Sequence, residues 1–190
     1  MEAWTEVNLT PVRALDQTLL ELVDALVHEE FDERIATWFF FWEPELRLRI
    51  RWREPGRVAE HRAALAAVLD GWKARRQIKD WYEGAHGERG RTYIGEAEHY
   101  GAEVWSRLQE DWMNGSELAL MLIRLDRAKR LPHTLDYYWQ RHVHLFTNQL
   151  LGTWEEEIRQ CLRQALGYLR MRGSSTPQAK KLLRELKEFS

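Results

Sequence analysis

The sequence has one cysteine, no long apolar run and no large excess of charge, and each of these absences excludes a class of protein. Cys161 is alone among 190 residues, so the chain can form neither an intrachain disulfide nor a zinc site built from several cysteines. No stretch approaches the roughly 18 apolar residues that a membrane span needs. A formal charge of −2 gives no general attraction to nucleic acids or anionic membranes. Any site for an anion must therefore be local.

Motifs of the common chemistries are also lacking. His142 and His144 are two apart on a predicted helix, so they point to opposite sides and cannot chelate one metal ion. The segment GAHGERG, residues 84–90, has three evenly spaced glycines but neither the following helix nor the lysine of a phosphate-binding loop. We interpret it as a mobile loop, able to cover a site. No nucleophile stands in a recognisable motif. The sequence predicts neither a metal nor a cofactor.

The N-terminal segment gives no sign of export. MEAWTEVNLT lacks the charged and apolar regions of a secretory signal. Together with the lack of a membrane span, this predicts a soluble cytoplasmic protein. We expect neither a membrane nor a nucleic acid as a partner.

Aromatic residues are abundant, and several lie in one informative stretch. Ten tryptophans and an aromatic content of 12% predict a bulky core or a pocket walled with rings. Residues 37–53, TWFFFWEPELRLRIRWR, begin with an apolar block and end in strict alternation of apolar residues and arginines. A period of two is typical of a half-buried strand. The stretch therefore predicts a β-hairpin with one face in the core.

The other face of the second strand carries four arginines about 7 Å apart. They are Arg47, Arg49, Arg51 and Arg53. Because like charges repel, these side chains must either pair with acidic neighbours or meet an anion. A salt-bridged sheet face and a basic floor for the anionic part of a substrate both fit this pattern. A nucleic-acid groove is a third reading, which the overall charge disfavours.

The remaining pattern predicts an α+β fold. Further strands are expected at residues 4–9, 78–83 and 91–94. Thr10-Pro11 predicts the start of a helix, and Asn114-Gly115 predicts the end of one. An antiparallel sheet of about four strands from the N-terminal half would be packed by helices that come mostly from the C-terminal half.

One domain is expected over residues 1–172, followed by a linker and an amphipathic helix over residues 173–190. The helix has apolar residues on one side, at Leu182, Leu183, Leu186 and Phe189. Such a helix would dock on the domain, on a second copy of the chain or on a partner subunit.

Two polar clusters are candidate sites. The first consists of Glu96, Glu98, His99 and Tyr100, at a predicted junction of strand and helix. Glutamates at a helix start favour the helix dipole, which alone would explain them, whereas an imidazole and a phenol can also move a proton near neutral pH. The second consists of His144, Asn148 and Gln149 in an otherwise apolar helix. Buried polar groups cost free energy unless they are paired, so this cluster is either a hydrogen-bonded scaffold or a site.

Three separated blocks resemble one family. Residues 38–51, WFFFWEPELRLRIR, resemble the "wFFiRY…HLRLR" block of the thiopeptide-type bacteriocin biosynthesis domain, which also forms the C-terminus of lantibiotic dehydratases. Residues 93–101, YIGEAEHYG, are similar to its "YxxExxRYGG" block. Residues 144–152, HLFTNQLLG, resemble its "HMHxNRLLG" block. The blocks occur in the family order.

The resemblance implies one of two reactions on a precursor peptide. In the dehydratases this domain eliminates glutamate from a glutamylated serine or threonine and leaves a dehydroamino acid. Stand-alone relatives join two dehydroalanines in a formal aza-cycloaddition, which closes a thiopeptide macrocycle and expels the leader peptide. Both imply a peptide partner with a leader and a modified core, and neither implies a cofactor.

The residues that the family uses for elimination are only partly present. Arg47 and Arg49 match functional arginines of the first block, and His144 matches the first histidine of the third block. Four other family positions differ, with Glu45 and Phe146 in place of histidines and His99 and Gln149 in place of arginines. These departures favour the cyclising branch.

In the cyclising branch, the enzyme would orient the reacting ends of the peptide and move protons. The expected proton-transfer residues are His99, Tyr100 and His144. The expected peptide-binding residues are Arg47, Arg49, Glu96, Glu98, Asn148 and Gln149. The alternatives are a glutamate-eliminating lyase that forms dehydroamino acids and a non-catalytic subunit that only binds the peptide.

Overall fold

The structure, a computed structural model, describes residues 3–13, 17–42, 45–135, 137, 138, 141, 142 and 159. The chain divides into two compact units, Met1–Arg130 and Leu131–Ser190. All helices and strands discussed below belong to the first unit. The boundary predicted at residue 172, the terminal helix and the dimer or partner contact expected through it lie outside the described residues and stay predictions.

Four strands and four α-helices make up the described part of the first unit. The strands are β1 (Trp4–Pro11), β2 (Ile35–Trp42), β3 (Leu46–Trp52) and β4 (Ile78–Glu83). The helices are α1 (Gln17–Ala25), α2 (Val58–Ala74), α3 (Ala97–Tyr100) and α4 (Ala102–Arg127). A π-helical turn, Leu26–Glu30, continues α1, and short 3₁₀ turns occupy Asp32–Arg34, Pro55–Arg57 and Ala85–Gly87. None of the described helices is both long and apolar enough to cross a membrane.

The strands form one antiparallel sheet in the order β2-β3-β1-β4. This confirms the predicted α+β fold and its four-stranded sheet. β2 and β3 form the predicted hairpin, and β1 pairs with the other side of β3. In this register Arg49 of β3 lies between Glu6 of β1 and Phe39 of β2. The register thus places a carboxylate and an aromatic ring beside one arginine.

The apolar face of β3 belongs to the main core, as its alternation predicts. Its four apolar residues are between 0% and 2% exposed: Leu46, Leu48, Ile50 and Trp52. They share a cluster with residues of α1, the π-helical turn and α2, among them Val23, Leu26, Leu65, Leu69 and Trp72. Burying a side chain of this size contributes about 1.5–3 kcal/mol. This cluster is therefore the main source of stability in the first unit.

A smaller cluster of buried residues covers the other face of the sheet. This face carries the arginine side chains of β3 and is called the arginine side below. Its buried members are Trp4, Phe39, Ala85, Tyr93 and Trp105. The rings of Trp4 and Trp105 lie 5.7 Å apart, and Phe39 packs edge-to-face on Trp112 at 5.1 Å. Edge-to-face pairs of this kind contribute about 0.5–1.5 kcal/mol beyond the area they bury. Protein therefore covers both faces of the sheet around Arg49, which is buried, whereas Arg47 and Arg51 are partly exposed.

Helix α4 runs unbroken along the outer edge of β2, so the predicted helix end at Asn114-Gly115 is wrong. Ser116 Oγ accepts a hydrogen bond from the Phe40 N–H at 3.1 Å and donates one to the Trp112 carbonyl at 2.9 Å. Leu120 is buried in the main core. A glycine inside a helix costs about 1 kcal/mol relative to alanine. The contacts that the helix makes before and after Gly115 offset that cost. These contacts involve residues far away in the sequence, so local pattern could not predict them.

Two other local expectations are also wrong. Residues 91–94 do not form a strand, although Tyr93 within them is buried. The chain does not turn helical at Thr10-Pro11, because β1 extends to Pro11 and the helix begins at Gln17. β1 is a central strand that pairs on both sides. Its ladder hydrogen bonds therefore outweigh the local preference of Thr-Pro for a helix start.

His28 joins the π-helical turn to α4 through two carboxylates. Its Nδ1 lies 2.7 Å from Asp24 Oδ1, and its Nε2 lies 2.9 Å from Glu117 Oε1. The ring packs edge-to-face on Trp38, and Arg124 lies 3.4 Å from the other oxygen of Asp24. A protonated imidazole donates from both nitrogens, so this geometry favours the charged form.

We expect the stability of the protein to fall as the pH rises through the folded-state pKa of His28. Burial lowers this pKa, but the hydrogen bonds and charges of Glu117 and Asp24 outweigh it and raise the pKa above its usual value. The contribution is therefore complete below the unfolded-state pKa, near 6.5, and is lost at higher pH. The contribution of protonated His28 to the free energy of unfolding is no more than about 1 kcal/mol, because His28 and its carboxylate partners are partly exposed. Urea denaturation across this pH range measures it, and a His28→Gln variant with the same pH profile would contradict the assignment.

Candidate functional site

Arg49 lies at the centre of the arginine side. It is buried there and forms ion pairs. Its side chain is only 4% exposed. Its Nε donates to Glu6 Oε2 at 2.7 Å, and its Nη1 donates to Glu96 Oε1 at 2.5 Å. Glu6 is its direct neighbour across β1 and β3. Of the readings that the sequence allows for the arginines, the salt-bridged one holds for Arg49.

Aromatic rings surround the same guanidinium. Its central carbon lies 4.4 Å from the ring centroid of Tyr93, 5.1 Å from that of Phe41 and 5.7 Å from that of Phe39. Each distance is within the range of a cation–π contact. The two carboxylates and the three rings together hold the Arg49 side chain in one position. The negative charges of the two carboxylates exceed the single positive charge of the guanidinium.

The loop at residues 84–91 lies over this part of the sheet. Asn8 Nδ2 donates to the Gly84 carbonyl at 2.7 Å, and the Tyr82 hydroxyl donates to the Gly87 carbonyl at 3.0 Å. A side chain at Gly84 would place its Cβ 2.1 Å from the Glu88 carbonyl oxygen, so only glycine fits there. The loop predicted to cover a site therefore covers the arginine side.

Two buried oxygens beneath the loop have no hydrogen-bond donor among the described residues. They are Glu6 Oε1 and Asn8 Oδ1, neighbours on one face of β1. An unpaired buried acceptor costs free energy. These two acceptors belong to residues in contact with the site, since Glu6 pairs with Arg49 and Asn8 bonds to the loop.

His86 brings an imidazole from the loop to Arg49. Its Nδ1 lies 3.4 Å from Arg49 Nη2, and its ring lies 5.8 Å from that of Tyr93. The residue adopts φ 54°, ψ 30°, in the left-handed region. The side chain itself is exposed, so it faces solvent while one of its nitrogens contacts the buried arginine.

A half-open cavity of about 440 Å³ adjoins these groups. It is lined by the loop, the segment after it and α3, and its polar lining residues include His86, Tyr93, Glu96, Glu98, His99 and Tyr100. Four of these were predicted as site residues from the sequence. Nothing in the described ranges groups three or more histidine, cysteine or acidic side chains so as to hold a metal ion. The polar side chains that line the cavity can transfer protons and form hydrogen bonds.

Tyr93 is a hydrogen-bond donor at the cavity wall. Burial raises the pKa of its phenol well above the usual value; the Arg49 charge opposes this shift, and the charges of Glu96 and Glu6 add to it. The hydroxyl lies 3.4 Å from Glu96 Oε1. A phenol with a raised pKa stays protonated at neutral pH and can only donate toward a carboxylate.

His99 and Tyr100 form the outer side of the cavity. Their rings pack edge-to-face at 4.5 Å, and Tyr100 packs on Trp112 at 6.1 Å. Tyr100 is 38% exposed and His99 is also exposed. Both are accessible to a molecule in the cavity, as a proton-transfer role would require.

The other predicted site residues divide into two groups. Arg47 is partly exposed beside the loop, where a Cβ on Gly87 would lie 3.2 Å from its Nη2. His144, Asn148 and Gln149 lie outside the described residues. Glu6, His86 and Tyr93 are site residues that the sequence pattern did not predict. His86 lies in the glycine-rich loop and Tyr93 opens the second family block, so both had a local signal, whereas the position of Glu6 depends on strand register alone.

The fold and the cavity together define an α+β domain whose polar site lies over an arginine-bearing sheet face. The chain belongs to the family of lantibiotic biosynthesis dehydratase C-terminal domains, whose model matches residues 4–189. This confirms the resemblance carried by the three sequence blocks, and it supports a role in the biosynthesis of ribosomally made, modified peptides.

The chain resembles the solved structure of the tRNA-dependent lantibiotic dehydratase MibB from Microbispora sp. 107891. The two share 24% sequence identity with a TM-score of 0.53, over 70% of this chain and 13% of that one. At this identity the likeness concerns the fold alone, and the chain spans a small part of that protein. No curated protein matches the chain.

Proposed function

We propose that this chain tailors a precursor peptide by closing a macrocycle through the formal aza-cycloaddition of two dehydroalanines. The observation that carries this proposal is the pairing of Arg49 with both Glu6 and Glu96. An arginine that serves glutamate elimination must meet the carboxylate of the glutamylated substrate. Here that arginine is buried and already holds two carboxylates, and its Nη2 faces His86, so a third carboxylate would have to compete with Glu96 or with His86.

Cyclisation makes different demands on a site. The two reacting ends must be held together, and such orientation can lower a barrier by several kcal/mol, up to about 7–11 kcal/mol. The amide that enters the ring must change its tautomer, and water must leave afterwards. His99 and Tyr100 are exposed at the cavity and are the groups that we propose for these proton transfers. Arg47, partly exposed beside the loop, would bind the peptide.

The proposal is tested by incubating the protein with a precursor peptide that carries dehydroalanines, azoles and a leader. We expect a product that has lost water and the leader peptide, as measured by mass spectrometry. Arg47→Gln should raise the peptide concentration needed for half-maximal rate about tenfold, the usual size of one lost charged contact. The matched control is Arg53→Gln, at an exposed arginine directly after the same strand, which should behave as wild type.

Two other outcomes would identify the alternatives. Loss of glutamate from a glutamylated peptide, without ring closure, would establish a lyase. Tight binding of the leader with no turnover, across several precursor peptides, would establish a non-catalytic binding subunit. Either result would overturn the cyclase proposal.

A further inference from the structure

His86 occupies the cavity in an uncommon backbone conformation. Its φ of 54° lies in the left-handed region, where residues other than glycine are rare and concentrate at functional sites. The glycines at positions 84 and 87 shape the turn around it, and Gly84 tolerates no side chain. The loop therefore holds this imidazole at the cavity although the backbone must adopt a disfavoured conformation to do so.

The contact with Arg49 determines which nitrogen of His86 carries the proton. A guanidinium can only donate hydrogen bonds. His86 Nδ1, 3.4 Å from Arg49 Nη2, must therefore act as the acceptor. The imidazole is then neutral, with its proton on Nε2, because the other ring nitrogen has to carry it. Arg49 is itself fixed by Glu6 and Glu96, so this preference is built into the fold.

We propose that His86 is a catalytic residue that donates a hydrogen bond from Nε2 to the carbonyl oxygen of the reacting amide. This inference rests on the proposed function and names a group for its first step. When the amide loses its N–H proton to a base, negative charge develops on the carbonyl oxygen. A neutral imidazole N–H placed at that oxygen stabilises the charge without having to give up its proton.

The arrangement also assigns a separate role to Arg49. It does not touch the substrate, and it acts by holding the acceptor side of His86. Arg49 is thus a positioning residue, and the buried carboxylates are the groups that keep it in place. The base that takes the amide proton would come from the exposed side of the cavity, where His99 lies.

The tautomer can be measured without any substrate. Nitrogen–proton correlation spectra of the histidine rings at neutral pH should show His86 with a protonated Nε2 and an unprotonated Nδ1. A spectrum of the Nδ1-protonated tautomer, or of the imidazolium, would overturn the inference. Because no turnover is involved, this result is independent of the proposed function.

The catalytic role is tested by a pair of variants. His86→Phe should lower kcat for ring closure by about 10²–10³-fold, the usual effect of losing one such donor, with little change in KM. His86→Gln keeps an amide N–H donor and should recover the rate to within about tenfold of wild type. The matched control is His133→Phe, at an exposed histidine outside the cavity, which should not change the rate.

The turnover of the wild-type protein distinguishes a failure of the proposed function from a failure of the inference about His86. If the wild-type protein closes no ring, the proposed function fails and the tautomer result still stands. If wild type closes the ring and His86→Phe does so at the same rate, the inference about His86 is wrong. A glutamine variant as slow as the phenylalanine variant would also overturn it, since the imidazole would then act by something other than hydrogen-bond donation.

Discussion

Replacing Arg49 with methionine is expected to lower the free energy of unfolding by about 3–5 kcal/mol. The guanidinium is the partner of Glu6, which is fully buried, and of Glu96, which is nearly so. Without it, two carboxylates would be left unpaired in a site closed by aromatic rings. Unpaired buried charge is among the few changes that destabilise a protein by this much. Urea denaturation of the purified variant measures the loss.

Two further variants make the Arg49 prediction specific. Arg53→Met removes an exposed arginine that directly follows the same strand and should change stability by no more than about 0.5 kcal/mol. Adding Glu6→Gln to Arg49→Met removes the buried charge that lost its partner and should recover part of the stability. If the Arg49 and Arg53 variants unfold alike, the ion pairs of Arg49 do not contribute as described.

Replacing Trp105 with alanine is expected to cost a similar amount, about 3–5 kcal/mol. This side chain is 1% exposed and packs between Trp4, Phe39 and Trp112. Its removal would leave a large cavity between α4 and the arginine side of the sheet, because the surrounding rings cannot collapse fully. Thermal or urea denaturation monitored by far-UV circular dichroism measures the effect.

The neighbouring residue offers the control for Trp105. Val104 is 52% exposed on the same turn of α4. Val104→Ala should lie within about 0.5 kcal/mol of wild type, since alanine favours a helix and little surface is uncovered. Equal losses for the two variants would mean that α4 is not anchored through Trp105.

Both predictions concern the same side of the sheet, and they bear on function together. Arg49 lies under the cavity, and Trp105 holds α4, which follows the cavity residues of α3 directly in the chain. A variant that unfolds this side would lose activity for structural reasons. The free energy of unfolding of each site variant should therefore be measured together with its turnover, so that a loss of catalysis can be told from a loss of folding.

Much of the fold could be predicted from local pattern. The alternation after Leu46 identified β3 and its core face, because a strand with one buried side must repeat every two residues. The same pattern identified the hairpin with β2. The polar cluster from Glu96 to Tyr100 was recognised as a candidate site, because an imidazole and a phenol beside two carboxylates are residue types that can move protons.

Local pattern failed where a distant part of the chain overrides a local preference. Gly115 lies inside α4, because Ser116 and Leu120 are bound by the sheet. Pro11 ends a strand rather than beginning a helix, because β1 is paired on both sides. In both cases long-range contacts contribute more free energy than the residue's own propensity does.

Local sequence pattern was enough to establish the class of fold, the arginine-bearing strand and the family of the chain. The role of those arginines could be established only from their three-dimensional surroundings. Four arginines on one strand face look alike in the sequence, but strand register places Glu6 against Arg49, and the loop and α3 bring His86 and Glu96 to it. Contacts between residues that are dozens of positions apart depend on packing and strand register, not on local propensity. For this reason the sequence alone could not distinguish a salt-bridged role from a substrate-binding role for these arginines.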